Sequence, residues 1–232
     1  MARQTEIIYP GTDGKPIAET TLQFEWIVLI KLGLEACFKD RDDVFIAGDL
    51  FWYPVEGDPK IRLAPDVLVA LGRPKGHRGS YLQWLEAGIA PQVIFEVLSP
   101  GNRKAEMERK YEFYEKYGAI EYYIYDPDRN KLSGYLRKGT GFQPIDEIHR
   151  WTSPLLNIRF DWNPERLQLL RPDGNPFLSY ADLVEMQQDV IQDMEHQREL
   201  LRKEQRKARL AENRAQKYAD KLRELGIDPD QL

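Results

Sequence analysis

Residues 92–126, QVIFEVLSPGNRKAEMERKYEFYEKYGAIEYYIYD, decide the fold of this 232-residue chain. The run at 92–98 is almost wholly apolar, which is typical of a strand covered on both faces, and 120–126 has the same character. Between them, residues 103–117 are strong helix formers, and Gly118 follows where a left-handed helix end belongs. A strand, a helix and a second strand predict that part of the sheet is parallel.

Further elements flank this core on both sides and complete an α/β pattern. Apolar residues spaced three and four apart predict a helix over residues 17–38. Aromatic and β-branched runs bounded by Pro and Gly predict strands at 44–53 and 64–71, before the core. Two more strands are expected after it, at 132–137 and 154–160. The sequence therefore predicts a mixed β-sheet flanked by helices.

Composition excludes several classes of protein. With 42% hydrophobic and 11% aromatic residues, most of the chain has the material for a packed core, which excludes native disorder over most of its length. Cys37 is the single cysteine, so an internal disulfide and a cysteine-based zinc cluster are excluded. Neither a signal peptide nor a membrane span is expected, and the cytoplasm is the expected compartment. A net charge of −5 argues against coating nucleic acid by charge alone.

The composition changes near residue 179 and predicts two parts, residues 1–178 and a tail at 179–232. Residues 182–225 contain neither Pro nor Gly, and apolar side chains recur near heptad spacing, which predicts a long coiled-coil helix. Alanine, Gln197 and Glu204 occupy several core positions, so a modest coiled coil that forms a homodimer is expected.

Charges along this tail fall into two blocks. Residues 181–200 carry six acids and one arginine, whereas 201–210 carry five bases and one acid. A solvated helix face explains such blocks, and antiparallel pairing of the blocks is a second explanation. Contact with nucleic acid is a third, through the basic side chains of the second block, namely Arg202, Lys203, Arg206, Lys207 and Arg209.

Two carboxylates stand in otherwise apolar strands. Asp66 follows Pro65 at the start of one strand and Glu96 lies inside another. Two acids in a low-dielectric setting raise each other's pKa unless a cation offsets them, and a hard divalent ion with oxygen ligands is the usual solution. Each acid alone is explained by a turn or an ion pair. Together they predict a site for Mg²⁺ or Mn²⁺.

A lysine on the adjacent helix belongs to the same hypothesis. Lys110 lies on the stripe of helix 103–117 that should face the sheet, between Met107 and Tyr114. A lysine in that position either extends to the rim of the sheet or is drawn inward by carboxylates. Asp66 and Glu96 are the acids that the second alternative requires.

The segments APDVLVAL, QVIFEVLSPGNRKAEMERKYEFYEKYG and EYYIYDP are similar to the Uma-type restriction endonuclease family, within the PD-(D/E)XK nuclease superfamily. The resemblance covers about residues 17–170 and is most specific between Glu96 and Asp126. It implies a restriction-endonuclease-like sheet of four to six strands, flanked by helices, with a divalent metal at the edge where strands diverge.

The resemblance also implies roles for individual residues. Asp66 matches the first acid of the motif and Glu96 the second, and both are the expected metal ligands. The lysine usual two positions later is replaced by Leu98, and Lys110 on the helix is the expected substitute. Superfamily members often add an acid from the first helix, for which Glu25 is the best candidate.

The leading hypothesis is a Mg²⁺-dependent endonuclease that hydrolyses phosphodiester bonds, with DNA as the expected partner and Asp66, Glu96 and Lys110 as catalytic residues. The alternative is a catalytically inactive nuclease-fold module that binds nucleic acid or scaffolds partners through its tail. A basic loop at 72–81 contributes either phosphate contacts or an ordinary solvated surface. Its candidate side chains are Arg73, Lys75, His77 and Arg78.

Overall fold

The computed structural model describes residues 7–12, 14, 16–163, 165–224 and 226. The chain divides into two compact units, residues 1–179 and 180–232. The first unit is built on one large sheet, and the second is built on one helix.

A six-stranded mixed sheet forms the centre of the first unit, in the order β1-β3-β5-β6-β7-β8. Strands β5 and β6 run parallel, and the other neighbouring pairs run antiparallel. The predicted α/β fold with a mixed sheet is thus confirmed. The strands of this sheet are β1 (Val44–Gly48), β3 (Val67–Leu71), β5 (Val93–Val97), β6 (Glu121–Asp126), β7 (Lys131–Lys138) and β8 (Gly141–Pro144).

Two smaller sheets accompany the large one. Strands β2 (Trp52–Tyr53) and β4 (Tyr81–Leu82) form a parallel pair, and a single 3-10 turn follows at Gln83–Leu85. The third sheet has the order β11-β10-β9. Its strands are β9 (Trp151–Thr152), β10 (Arg159–Trp162) and β11 (Leu167–Leu170).

Each face of the large sheet has its own apolar core. On one face, helix α1 (Thr21–Cys37) contributes Ile27, Ile30 and Leu34 to a cluster with alternate strand residues such as Val67 and Phe95. On the other face, helix α2 (Lys104–Tyr117) contributes a different cluster. Its members include Trp52, Leu68, Ile94, Tyr114 and Tyr122. Side chains alternate between the faces of a strand, so neighbouring residues of β5 serve different cores.

Gly118 ends α2 in the left-handed conformation, with φ of 105°, as the sequence predicted. Its backbone N–H donates to the carbonyl oxygen of Tyr114, and the next residue begins the return to β6. A side chain at 118 would be strained there, and its Cβ would lie 3.2 Å from the Cβ of Ala90.

We expect Gly118→Ala to lower the free energy of unfolding by about 1–2 kcal/mol, because an L residue pays that cost in the left-handed region. Urea denaturation of the full chain measures the change. Gly139→Ala is the matched control, since Gly139 also has positive φ but a Cβ there would meet nothing within 4 Å. An effect at 118 no larger than that at 139 would show that the contact with Ala90 contributes nothing.

Two strand predictions were wrong in part. The predicted strand at 44–53 is interrupted at Asp49, where φ is 48°, and the chain leaves the large sheet for the β2–β4 pair. Of the predicted strand at 154–160, only the end is extended, because Ser153 and Asn157 form a turn and β10 starts at Arg159.

The second unit contains helix α3 (Tyr180–Glu224), 45 residues long, as expected of a long C-terminal helix. None of its side chains is buried. In the part of the chain that the structure describes, no helix combines the length and apolarity that crossing a membrane requires.

Candidate active site

The register of the sheet places Asp66 and Glu96 together. Strands β3 and β5 pair antiparallel with Val67 opposite Phe95, so the next step along the pair sets Asp66 opposite Glu96. Side chains of directly opposed residues project from the same face of a sheet, with Cβ atoms about 5 Å apart. Both carboxylates therefore lie on the face that α2 covers, where Asp66 is 8% and Glu96 2% exposed.

Helix α2 brings two partners to Glu96. The ammonium Nζ of Lys110 lies 2.7 Å from Glu96 Oε2, and the Tyr114 hydroxyl donates to Oε1 at 2.5 Å. Lys110 and Tyr114 are four residues apart and so share one stripe of the helix. The lysine is drawn inward: its side chain is 12% exposed.

The main chain of Val97 joins the site to the other side of the sheet. Its N–H donates to Asp66 Oδ2 at 2.6 Å, and its carbonyl oxygen accepts from Gln23 Nε2 at 2.8 Å. Gln23 is a buried residue in the first turns of α1. The backbone of one residue of β5 thus positions the Asp66 carboxylate through its N–H and binds a side chain of the first helix through its carbonyl.

Burial and charge act in opposite directions on these groups. Burial, followed by the neighbouring charge of Glu96, raises the pKa of Asp66 well above its usual range, although Lys110 and the Val97 N–H oppose the shift. For Lys110, burial lowers the pKa, but the charges of Glu96 and Asp66 outweigh burial and leave the pKa raised. The lysine accordingly keeps its proton near neutral pH, while the two acids repel each other.

The raised pKa of Asp66 predicts how stability depends on pH in the metal-free protein. Above the ordinary aspartate pKa, the unfolded chain loses this proton and the folded chain keeps it, so rising pH favours unfolding. We expect this contribution to decline from the ordinary pKa up to the raised folded value and then to level off. Asp66→Asn should remove that part of the slope.

Denaturation of both proteins in EDTA across this pH range measures the difference. Glu121, another buried acid whose pKa is raised by burial, is present in both and cancels in the comparison. Parallel curves for wild type and Asp66→Asn would contradict the assignment.

A cavity of about 490 Å³ opens beside the carboxylates. Asp66 and Lys110 line it, together with acidic side chains from three segments, Glu19, Asp49 and Glu106. Further cationic side chains line it as well, namely Lys60, Arg62 and Arg109. A cavity lined by both carboxylates and cationic side chains can receive an anionic ligand next to a metal ion.

The donor set fits a magnesium ion. In the described residues, no group of three or more His, Cys, Asp or Glu side chains could hold a metal. Magnesium, however, commonly binds through one or two carboxylates and keeps several waters. Asp66 and Glu96 supply the carboxylates, and the Val97 carbonyl faces the same side of β5 as the Val97 N–H that binds Asp66. Each of these oxygens has a lone pair beyond those used in its hydrogen bonds.

The structure brings the three predicted site residues together, and it adds others that sequence reasoning missed. Tyr114 was noted on the helix stripe without a role, and its spacing of four from Lys110 was the available signal. Gln23 and Glu19 come from the region of α1, where the resemblance implies an extra acid. Glu25, the candidate named there, is exposed and does not line the cavity.

Glu19 is held to the turn after β5. The Ser99 hydroxyl donates to Glu19 Oε2 at 2.5 Å, and the Ser99 N–H donates to Asn102 Oδ1 at 2.8 Å. Leu98 precedes this turn and donates its N–H to the carbonyl of Tyr125. Position 98 is thus occupied by an apolar residue, and the ammonium that contacts Glu96 comes from Lys110 on α2.

The basic loop at 72–81 has a structural role and does not line the cavity. It follows the end of β3 opposite to Asp66, about 17 Å away over five residues. Arg73 and Arg78 both pair with Glu86, and Lys75 donates to the carbonyls of Phe38 and Lys39. These contacts favour an ordinary surface loop over a loop that contacts phosphates.

A comparison with known proteins covers the part of the chain that holds these site residues. The family model Uma2, described as "Putative restriction endonuclease", matches residues 17–168. A solved structure from Anabaena variabilis, a "putative nuclease belonging to DUF820", is similar at 18% identity and a TM-score of 0.46. The match covers 63% of this chain and 81% of that one. No curated protein matches the chain. The match over residues 17–168 shows that the chain belongs to the Uma2 family of putative restriction endonucleases.

Proposed function

We propose that the chain is a divalent-metal-dependent endonuclease that hydrolyses phosphodiester bonds in DNA. The observation that carries the proposal is the trio beside the cavity: two opposed carboxylates, of which Asp66 lines the cavity, and an ammonium that contacts the other carboxylate. Membership of a family described as restriction endonucleases supports the same chemistry. Magnesium is the proposed ion, and the first unit, built on the large sheet, is the proposed nuclease domain.

The chain's own residues have separable tasks in this proposal. Asp66 and Glu96 would hold the ion, with the Val97 carbonyl as a third oxygen. Such an ion, when bound, polarises a phosphate and lowers the pKa of a coordinated water. The Val97 N–H fixes one oxygen of Asp66, and Tyr114 fixes one oxygen of Glu96, so both carboxylates are preorganised.

Lys110 acts as a cation in this proposal and does not accept a proton. Its raised pKa keeps the ammonium charged, and a preorganised cation stabilises the negative charge that develops on a phosphate in the transition state. The cationic side chains Lys60, Arg62 and Arg109 line the same cavity and are the proposed contacts to the DNA backbone.

A plasmid-nicking assay tests the proposal. Supercoiled DNA is incubated with the full chain in Mg²⁺, in Mn²⁺ and in EDTA, and conversion to the nicked form is followed on gels. We expect metal-dependent nicking that EDTA abolishes and that Lys110→Met strongly reduces. Lys104→Met is the matched control, because Lys104 lies on the same helix with its side chain 91% exposed.

Absence of nicking under all metal conditions would overturn the enzymatic proposal. If that protein still bound DNA in a mobility-shift assay, the result would favour the alternative, a catalytically inactive module that binds nucleic acid. Nicking that persists unchanged in EDTA and in Lys110→Met would indicate a contaminating nuclease.

A further inference from the structure

Helix α3 exposes large apolar side chains, most of them in its first half. None of its 45 residues is buried, and Leu183, Met194 and Leu201 are each at least half exposed. Helices in proteins gain most of their stability from packing an apolar face, and a helix of this length without such packing lacks that contribution. We therefore expect these exposed apolar side chains to pack against a partner.

The seam of α3 is the set of positions that recur at alternating intervals of four and three residues from Leu183. Its first half holds mostly large side chains: Leu183, Gln187, Val190, Met194, Gln197 and Leu201. Its second half holds small ones in the centre: Glu204, Ala208, Ala211, Ala215, Tyr218 and Leu222. Large and small side chains are thus separated along one helix.

Charge is separated in the same way. Residues 180–200 contain six acids and one base, a net charge of −5. Residues 201–224 contain nine bases and four acids, a net charge of +5. Two parallel copies would set like halves against each other, whereas two antiparallel copies set each acidic half against a basic half.

We propose that α3 is an interface for a second copy of this chain and that the two helices pair antiparallel, centred between Arg202 and Lys203. In this register, seam residues whose numbers add up to 405 form the layers. Val190 then lies opposite Ala215, Met194 opposite Ala211 and Gln197 opposite Ala208, so each of these layers pairs a large side chain with a small one. In the two layers next to the centre, Leu201 lies opposite Glu204. Parallel pairing in register would set alanine against alanine and leave gaps there.

The register also predicts one ion pair beside the seam. Asp193 and Arg214 occupy the same flanking position of their heptads, on opposite sides of the centre, so each Asp193 faces the Arg214 of the other copy. The pair forms twice in the dimer by symmetry. In a parallel dimer the two residues would be 21 positions apart, about 31 Å along the axis.

Sedimentation equilibrium of the full chain tests the pairing. Wild type should have twice the monomer mass of 27.2 kDa. Asp193→Arg creates two facing arginine pairs and should raise the dissociation constant at least about fivefold, and the double variant Asp193→Arg/Arg214→Asp should restore it. A monomeric wild type at micromolar concentration would overturn the proposal, as would a double variant weaker than the single one.

Disulfide crosslinking fixes the direction of the helices. In a Cys37→Ser background, Gln197→Cys protein and Ala208→Cys protein are each oxidised alone and as a mixture. Antiparallel pairing places residue 197 opposite 208, and it separates the two copies of 197 by about 16 Å along the axis. Crosslinks should therefore form only in the mixture. Efficient crosslinking of either protein alone would show parallel pairing and overturn the register.

Circular dichroism of each variant measures its helix content, which is a separate observable from its mass. None of the substituted residues is among those that line the cavity, so plasmid nicking is a separate readout.

Discussion

Asp66→Asn is expected to reduce metal-dependent nicking at least about 100-fold. Loss of a group that merely orients a metal ligand costs about 10–100-fold in affinity or activity, and Asp66 is proposed as a ligand itself. The amide keeps the shape of the side chain and its carbonyl can still accept from the Val97 N–H. Initial nicking rates over a range of Mg²⁺ concentrations measure the effect.

The control for this variant is Asp40→Asn, the same chemical change at an exposed turn. It should nick at the wild-type rate. Magnesium binding provides a second readout, since isothermal titration without DNA should show weaker binding in Asp66→Asn alone. Equal rates for Asp66→Asn and Asp40→Asn would remove Asp66 from the proposed catalytic residues.

Glu96→Ala is expected to lower the free energy of unfolding by about 3–5 kcal/mol. Removing one partner of a buried ion pair leaves the other charge uncompensated, and that loss has this size. Here the Lys110 ammonium and the Tyr114 hydroxyl lose their acceptor in a single step. Urea denaturation in EDTA measures the change without a contribution from bound metal.

A double variant separates the lost pair from simple loss of volume. In Glu96→Leu/Lys110→Met, both charges are replaced by apolar side chains of similar size, and most of the lost stability should return. Lys104→Met, at the exposed position of the same helix, should leave stability within about 0.5 kcal/mol of wild type. A Glu96→Ala protein as stable as wild type would mean that water enters the site and replaces the carboxylate.

The sequence was most informative where local and tertiary preferences agree. Strand β5, helix α2 and strand β6 were predicted nearly to their ends, since an apolar run, a helical run and Gly118 point to the same structure. Because the acids were unusual in their strands, Asp66 and Glu96 were found as well. Their meeting followed from the register of two strands, which the sequence did not specify.

Features that depend on tertiary contacts were not visible in the sequence. Gln23 has no local signal, because its role depends on where α1 crosses the end of β5. The break at Asp49 was missed since the residues around it favour a strand, and only a positive φ redirects the chain. The arginines of the basic loop are compatible in sequence with phosphate contacts, but in the structure both pair with Glu86, which lies outside that loop in sequence.

Val97 serves the site through its backbone alone, while its side chain fills the core on the α1 face. Evolution can therefore exchange Val97 for Ile or Leu with only volume as a constraint, and sequence variation at this position would conceal its importance. Proline, which has no N–H, would free the Asp66 carboxylate. Semisynthetic replacement of the amide between Glu96 and Val97 by an ester would also remove the N–H that binds Asp66, while the Val97 side chain stays in place.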